Sequence, residues 1–363
     1  MSKMKTGALA ALMMGSTALT ASAAGLDRSG QDVTLLFEEG NVAEVSLGYV
    51  DPHLTAAVAG ISDAGKAYAP LSFGYKHQFT ENISVAILYD QPYGADIEYT
   101  DGPFSALGPL PLNGQAEVNT DSFTILGRYE FGNGFSVHGG ARLERIEGYV
   151  VSSPGILDVE SDWDVGGVIG VAYEVPEIAL RVALTYSTAI DHGVTGTEDV
   201  GFANLGSGGI APLADATFTI TAPESVNLDF QTGIAENTLL FGSIRWVHWD
   251  GFNVTSPNSA PEYVGYTNDD YTVNVGVGRR INDELSLAAS VGYERRKYQT
   301  VSTLGPTDGY WSLGLGGSYT MGDTKFSAGV RYVLVGDAIT TTGGVPFRGN
   351  HATAVGFSVQ QTF

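Results

Sequence analysis

The chain has 363 residues, 43% of them hydrophobic and only 16% charged, with 48 glycines, no cysteine and a net charge of −22. That charge excludes nucleic acid as a partner, which needs a basic surface, and argues against adhesion to anionic lipid. Without cysteine there is no disulfide framework, so packing and hydrogen bonds alone must hold the fold.

Residues 1–23 read as a secretory signal peptide. Lys3 and Lys5 form the positive n-region, Gly7–Met14 with Ala18 and Leu19 the apolar stretch, and Ala21-Ser22-Ala23 the small-residue cleavage site. The mature chain is predicted to start at Ala24 or Gly25; losing two lysines and no acid takes the net charge from −22 to −24. Residues 24–40 form a short N-terminal segment and 41–363 a single body with no linker-like boundary. Past the signal, no run approaches the ~18 apolar residues of a spanning helix.

From residue 41 onward the dominant period is two. In Ile178–Tyr186, Ile178, Leu180, Val182, Leu184 and Tyr186 alternate with Ala179, Arg181, Ala183 and Thr185. Successive strand side chains point to opposite faces, so such stretches are two-faced strands. About fourteen are predicted, near 41–50, 67–78, 83–99, 115–131, 135–151, 161–175, 178–194, 215–232, 238–250, 263–281, 285–299, 308–321, 324–339 and 350–363. Tight turns at Gly132-Asn133-Gly134, Pro176-Glu177, Asn282-Asp283-Glu284 and Gly322-Asp323 alternate with long polar or Gly/Pro-rich loops. Short turns at one end and long loops at the other are the plan of an outer-membrane barrel. The fold class is therefore all-β, a transmembrane antiparallel β-barrel of about fourteen strands. A secreted sandwich or propeller also alternates, but its strands centre on about five or six residues.

Arg128, Arg142, Arg181, Arg245, Arg280 and Arg331 share a parity with Ser, Thr and Gly and should face the lumen, because a mid-membrane lipid-facing Arg costs about 2–4 kcal/mol. Both termini are placed on the periplasmic side of a Gram-negative outer membrane. The last strand, "AVGFSVQQTF", ends on Phe363, and must close on the first to leave no open edge in lipid. A terminal Phe after alternating apolar residues resembles the signal read by the barrel assembly machinery.

In the third strand, Ile83, Val85, Ile87 and Tyr89 alternate until Asp90-Gln91-Pro92-Tyr93-Gly94 interrupts. Pro92 cannot donate to the ladder and Gly94 permits a bulge, so the wall loses pairing here or the strand ends at the rim. Phe104, Leu107, Leu110 and Leu112 on one loop, and Phe202, Leu205, Ile210 and Leu213 on another, place apolar side chains in what should be water. Such clusters mark a binding surface, unless the loops bury them against the barrel top.

The chain resembles the FadL/TodX family of outer-membrane transporters for long-chain fatty acids and other hydrophobic compounds. The resemblance rests on "AGLDRSGQ" (Ala24–Gln31), "YDQPYGADIEY" (Tyr89–Tyr99), "LRVALTYSTAIDHGVTG" (Leu180–Gly196), "SIRWVHWDGF" (Ser243–Phe252) and "YTVNVGVGRRINDELSLAASVGYE" (Tyr271–Glu294), in that order. It implies a monomer of fourteen strands with residues 24–40 plugging the lumen. It further implies capture of a hydrophobic substrate among the extracellular loops, transfer to a lumen pocket, and lateral exit at the third-strand kink, Pro92, Tyr93 and Gly94. Arg142 and Arg145 match the positions where the family carries basic residues above the pocket; pairing with Glu144 or Glu147 is the other reading. The family's Asn-Pro-Ala motif is missing, the nearest match being Asn41-Val42-Ala43. The surroundings implied are outer-membrane lipid and lipopolysaccharide.

No catalytic constellation, cofactor motif or metal site is predicted. Asp191 and His192 diverge on a strand, no G-x-S-x-G occurs, and "GLGLGGS" is strand rather than a phosphate loop. The acids at Asp158, Asp162 and Asp164, or at Asn268-Asp269-Asp270, read as solvated loops rather than calcium ligands. The competing functional class is a general porin or an adhesive barrel, whose lumen would conduct ions steadily.

Overall fold

A computed structural model describes residues 26–105, 113–152, 155–199, 214–258 and 262–363; the predicted signal peptide lies outside them. Among the described residues, fourteen antiparallel strands close into a barrel. They are β1 (Val42–His53), β2 (Leu71–Gln78), β3 (Ile83–Asp90 and Gly94–Glu98), β4 (Gln115–Glu130) and β5 (Phe135–Val151). Then come β6 (Ile156–Ser161 and Asp164–Val175), β7 (Leu180–Ser187 and Ile190–Asp199), β8 (Ala214–Ala222 and Ser225–Ala235) and β9 (Thr238–Val247). The circuit ends with β10 (Asp270–Arg280), β11 (Leu285–Glu294), β12 (Tyr310–Met321), β13 (Thr324–Val335) and β14 (His351–Thr362). Closure comes from β1 on β14, in register from Val42 opposite Thr362 to His53 opposite His351. The Phe363 amide donates to the Asn41 carbonyl at 2.9 Å, tying the end of the chain to the start of the wall.

Alternation decides the two faces. Leu47, Leu313, Leu315 and Val330 are at least half exposed on the outside, whereas Arg128, Arg142, Arg181, Arg245 and Arg331 are buried inside. An apolar outer belt around a polar interior is what a bilayer demands of a closed sheet. Arg280, the sixth of the arginines, sits at the turn end, where its guanidinium donates to Asn237 Oδ1 at 2.6 Å. One cross-strand row, Tyr89–Phe123–Leu143–Val165, marks a single level of the wall on β3 to β6.

The short turns lie at the end that also holds residues 38–41 and Phe363. A barrel of this kind resists detergent until heated. The unboiled protein is expected to migrate differently from the boiled protein in gel electrophoresis and to fractionate with outer membranes. Recovery with soluble periplasmic proteins would contradict the outward belt.

Candidate functional site

Where the sequence interrupts β3, the ladder with β2 stops at Phe73 opposite Tyr89. The next β2 amide, that of Leu71, donates to the Gln91 side chain at 3.1 Å instead. Above the break, Gly94–Glu98 pairs with β4 on one side only. Its free edge is met by the loop between β1 and β2, Lys66 donating to Asp96 O at 3.1 Å and Glu98 to Ala64 O at 3.0 Å. Within the break the N-terminal segment supplies the missing partners. The Arg28 amide donates to Pro92 O and the Gly94 amide to Leu26 O, each at 2.7 Å.

Residues 26–37 are fastened to the inner wall at both ends. Arg245 holds Asp27 with two hydrogen bonds, Nε to Oδ2 at 2.7 Å and Nη2 to Oδ1 at 3.1 Å. Arg28 pairs with Asp96 and lies over the Tyr68 ring at 4.1 Å. At the lower end, a 3-10 turn (Thr34–Phe37) buries all four side chains. Phe37 sits between the guanidiniums of Arg128 and Arg181, at 4.7 and 5.2 Å from its ring centre. Between these anchors Gly30 and Gln31 both take positive φ, +69° and +53°, so two consecutive left-handed residues form the bend.

Above the segment lies an enclosed cavity of ≈ 40 Å³, walled by Leu26, Ala95, Ala116, Val118, Ile146, Gly148, Val150, Leu157, Val159, Ile220, Phe252, Val254, Val264, Tyr266 and Leu304. None of these side chains is charged. Burial pushes the Tyr266 phenol up, as a dry environment does. Ala95 and Leu304 also wall a second cavity of ≈ 80 Å³ beside Val50, Tyr68 and Val333, and that one is bounded by Arg28. Arg28 in turn bounds a third cavity of ≈ 80 Å³, whose walls include inward Asp32, Leu35 and Asp90 and lipid-facing Leu71 and Phe73. The third cavity therefore touches residues of both faces of the wall beside the β3 break. Gly94, which lines the second cavity, leaves room for Arg28: a Cβ there would collide with the Arg28 guanidinium.

The axial direction is different in kind. Toward the short turns opens a cavity of ≈ 730 Å³ lined by Glu38, Glu39, Glu81, Glu130, Glu174 and Glu177, against Lys76 and Arg128.

Of the residues singled out from sequence, Pro92, Tyr93 and Gly94 lie at the β3 break; Tyr93 is buried, its ring centre 5.6 Å from that of Trp249. Arg142 faces the lumen, where its Nε donates to Thr124 Oγ1 at 3.0 Å. Arg145 pairs with Glu147 at 3.6 Å, as its other reading had it, and with Asp121 at 2.7 Å; three residues on from Arg142, it points outward by the period of two, over the Trp163 ring. Of the two readings of Phe104, the structure matches burial against the barrel top: it packs on Tyr99, ring centres 5.1 Å apart, in a core under the loops. Leu107, Leu110, Leu112, Phe202 and Leu205 lie outside the described residues. The cavity residues were missed, yet a signal existed. The inward parity of β5 runs Ser136, His138, Arg142, Glu144 and then turns apolar at Ile146 and Val150.

The sequence matches the family model for outer membrane protein transport proteins, OMPP1/FadL/TodX, over residues 62–363. The fold is similar to that of a Pseudomonas aeruginosa FadL homologue, with a TM-score of 0.74 and 14% identity over 96% of this chain and 98% of that one. It is similar to the Pseudomonas putida toluene transporter TodX, with a TM-score of 0.67 and 14% identity over 96% and 97%. The Ralstonia pickettii toluene transporter TbuX gives a TM-score of 0.63, again with 14% identity over 96% and 97%. No curated protein matches the sequence.

Proposed function

Since the chain belongs to the OMPP1/FadL/TodX family of outer-membrane transport proteins, we propose that it takes up small uncharged hydrophobic compounds through the three linked cavities and releases them sideways at the β3 break. The observation that carries this reading is the first cavity, fifteen lining residues without a charge among them. An isolated carboxylate moved into such a place loses its hydration and gains no partner. Long-chain fatty acids, the substrate class named first by the family resemblance, fit less well: neither Arg142 nor Arg145 lines any of the three cavities. Toluene transporters among the similar folds support the hydrocarbon reading.

Residues 26–37 act as the plug, and Arg28 is the gate between the second and third cavities. Lateral release keeps an apolar compound out of water, at about 0.8 kcal/mol per buried methylene. The axial route leads instead into a vestibule of six glutamates. In this reading residues 1–23 are removed on export, the barrel acts as a monomer among lipid and lipopolysaccharide, and the C-terminal strand is the handle for assembly.

Trp249, 1% exposed and stacked edgewise on Phe252 and Tyr266, reports on the cavity. Toluene is expected to change its fluorescence in the purified barrel, and benzoate to bind at least tenfold more weakly. Equal binding of the two, or none of toluene, would refute the uncharged-substrate reading.

A further inference from the structure

The wall is interrupted a second time, between β6 and β7. The ladder holds at Val168 opposite Ser187 and resumes at Ser161 opposite Val194. Between these pairs Gly167 and Thr188 keep one backbone hydrogen bond, and residues 162–166 face residues 189–193 with none. The register is the same on both sides of the interruption. Against β5 the register of β6 shifts by one residue, from Glu144 opposite Asp164 to Glu147 opposite Glu160, as at a β-bulge; against β7 five residues on each strand lose their pairs and rejoin in step, which makes a slit. At about 3.3 Å per residue it is roughly 17 Å long. On their far sides both strands are paired over part of this stretch, Asp164 opposite Glu144 on β5 and Ile190 opposite Ala222 on β8, while residues 162–163 and 188–189 lie outside those ladders too. At the lower end Thr188 spans the slit, its amide donating to Gly167 O and its hydroxyl accepting from the Gly167 amide, each at 2.9 Å.

The slit includes Val165, in the same cross-strand row as Tyr89, immediately below the β3 break. On the lipid side Val165 is 65% exposed. On the inner side Ile190 fills the space left by Gly166, where a Cβ would lie 2.6 Å from Ile190 Cγ1. Ile190 also packs in one apolar cluster with Tyr93 and Trp249, against Leu26 of the first cavity. A side-chain bridge crosses the slit above it. His192 on β7 is fully buried, with Nδ1 3.2 Å from Asp164 Oδ2 on β6 and Nε2 3.2 Å from Glu144 Oε1 on β5. Each ring nitrogen thus faces a carboxylate of a neighbouring strand, with Ser161 Oγ 3.5 Å from Nδ1 as well.

We propose that the β6–β7 slit is a second lateral portal for uncharged apolar compounds, held shut by the Glu144–His192–Asp164 bridge. Unpaired backbone at membrane depth is tolerated where it lines a cavity or is buried in protein. The slit meets that condition only through side chains that can swing away, and it adjoins the apolar cavity without passing Arg28. The proposal rests on the reading of that cavity as the substrate site.

The natural chain has no cysteine, so an engineered pair reports alone. Gly166→Cys with Ile190→Cys places two Cβ atoms within disulfide reach, because Ile190 Cγ1 is one bond from its Cβ. Toluene uptake into proteoliposomes is measured with this pair oxidised and reduced, beside the parent barrel. The oxidised form is expected to lose at least half of the uptake and to recover it with reductant, while Trp249 still reports toluene binding. Equal uptake in the two forms, with the disulfide verified by mass, overturns the portal but leaves the cavity reading intact. No toluene binding to the parent barrel overturns the cavity reading and the portal with it. Gly167→Cys with Thr188→Cys, whose Cγ2 lies 3.4 Å from the built Cβ, is the second staple should the first pair not fold.

Discussion

Enlarging Ala95 to Phe is expected to cut binding and uptake of toluene by roughly 10- to 100-fold while leaving a folded, heat-modifiable barrel. Ala95 walls both the first and the second cavity, so one ring placed there occupies the junction between them. The first cavity is small, ≈ 40 Å³, and loss of even one or two apolar contacts of about 1.5–3 kcal/mol each is a large fraction of a small ligand's affinity. Overpacking has its own cost of about 1–3 kcal/mol, which a closed fourteen-strand ladder can absorb. The check is a Trp249 fluorescence titration beside uptake in proteoliposomes. Unimpaired uptake with the ring in place would mean that cargo does not pass between these two cavities.

Removing the gate should act in the opposite direction. Arg28→Met combined with Asp96→Leu is expected to raise the initial rate of toluene uptake several-fold and to weaken its saturation. The pair must be replaced together, because a lone buried partner of a broken ion pair costs about 3–5 kcal/mol, whereas an apolar pair of similar volume is often neutral. With the guanidinium gone from the boundary of the second and third cavities, the first cavity connects to the lipid-facing side past Leu71 and Phe73. Rates indistinguishable from the parent would show that Arg28 is a structural clamp only. The same geometry changes what substitution at Gly94 does. Gly94→Thr restores strand preference, but its Cβ falls on the Arg28 guanidinium, so it displaces the gate as well as filling the wall.

The sequence by itself determined the barrel, because lipid imposes a rule that every strand obeys locally. Each wall strand alternates apolar and polar side chains, and that period survives in the text of the chain from Val45 and Leu47 to Val355 and Phe357. The β3 break was legible for a related reason: Pro92 and Gly94 act through their own backbone, whatever lies nearby. Arg145 was placed by the family resemblance, whereas its parity, opposite to that of Arg142, turns it outward to Glu147 and Asp121. Phe104 shows the limit of composition, since an apolar loop residue looks the same whether it meets water or, as here, Tyr99 and Phe347. The cavities, by contrast, exist only in the folded barrel. Leu26, Ala95, Ile146, Ile220 and Leu304 come from one terminal segment, three strands and a loop, and their contact depends on closure of the whole circuit. The β6–β7 slit is likewise invisible in either strand alone, because pairing is a property of two strands at once, and His192 finds Glu144 and Asp164 only when three strands stand side by side.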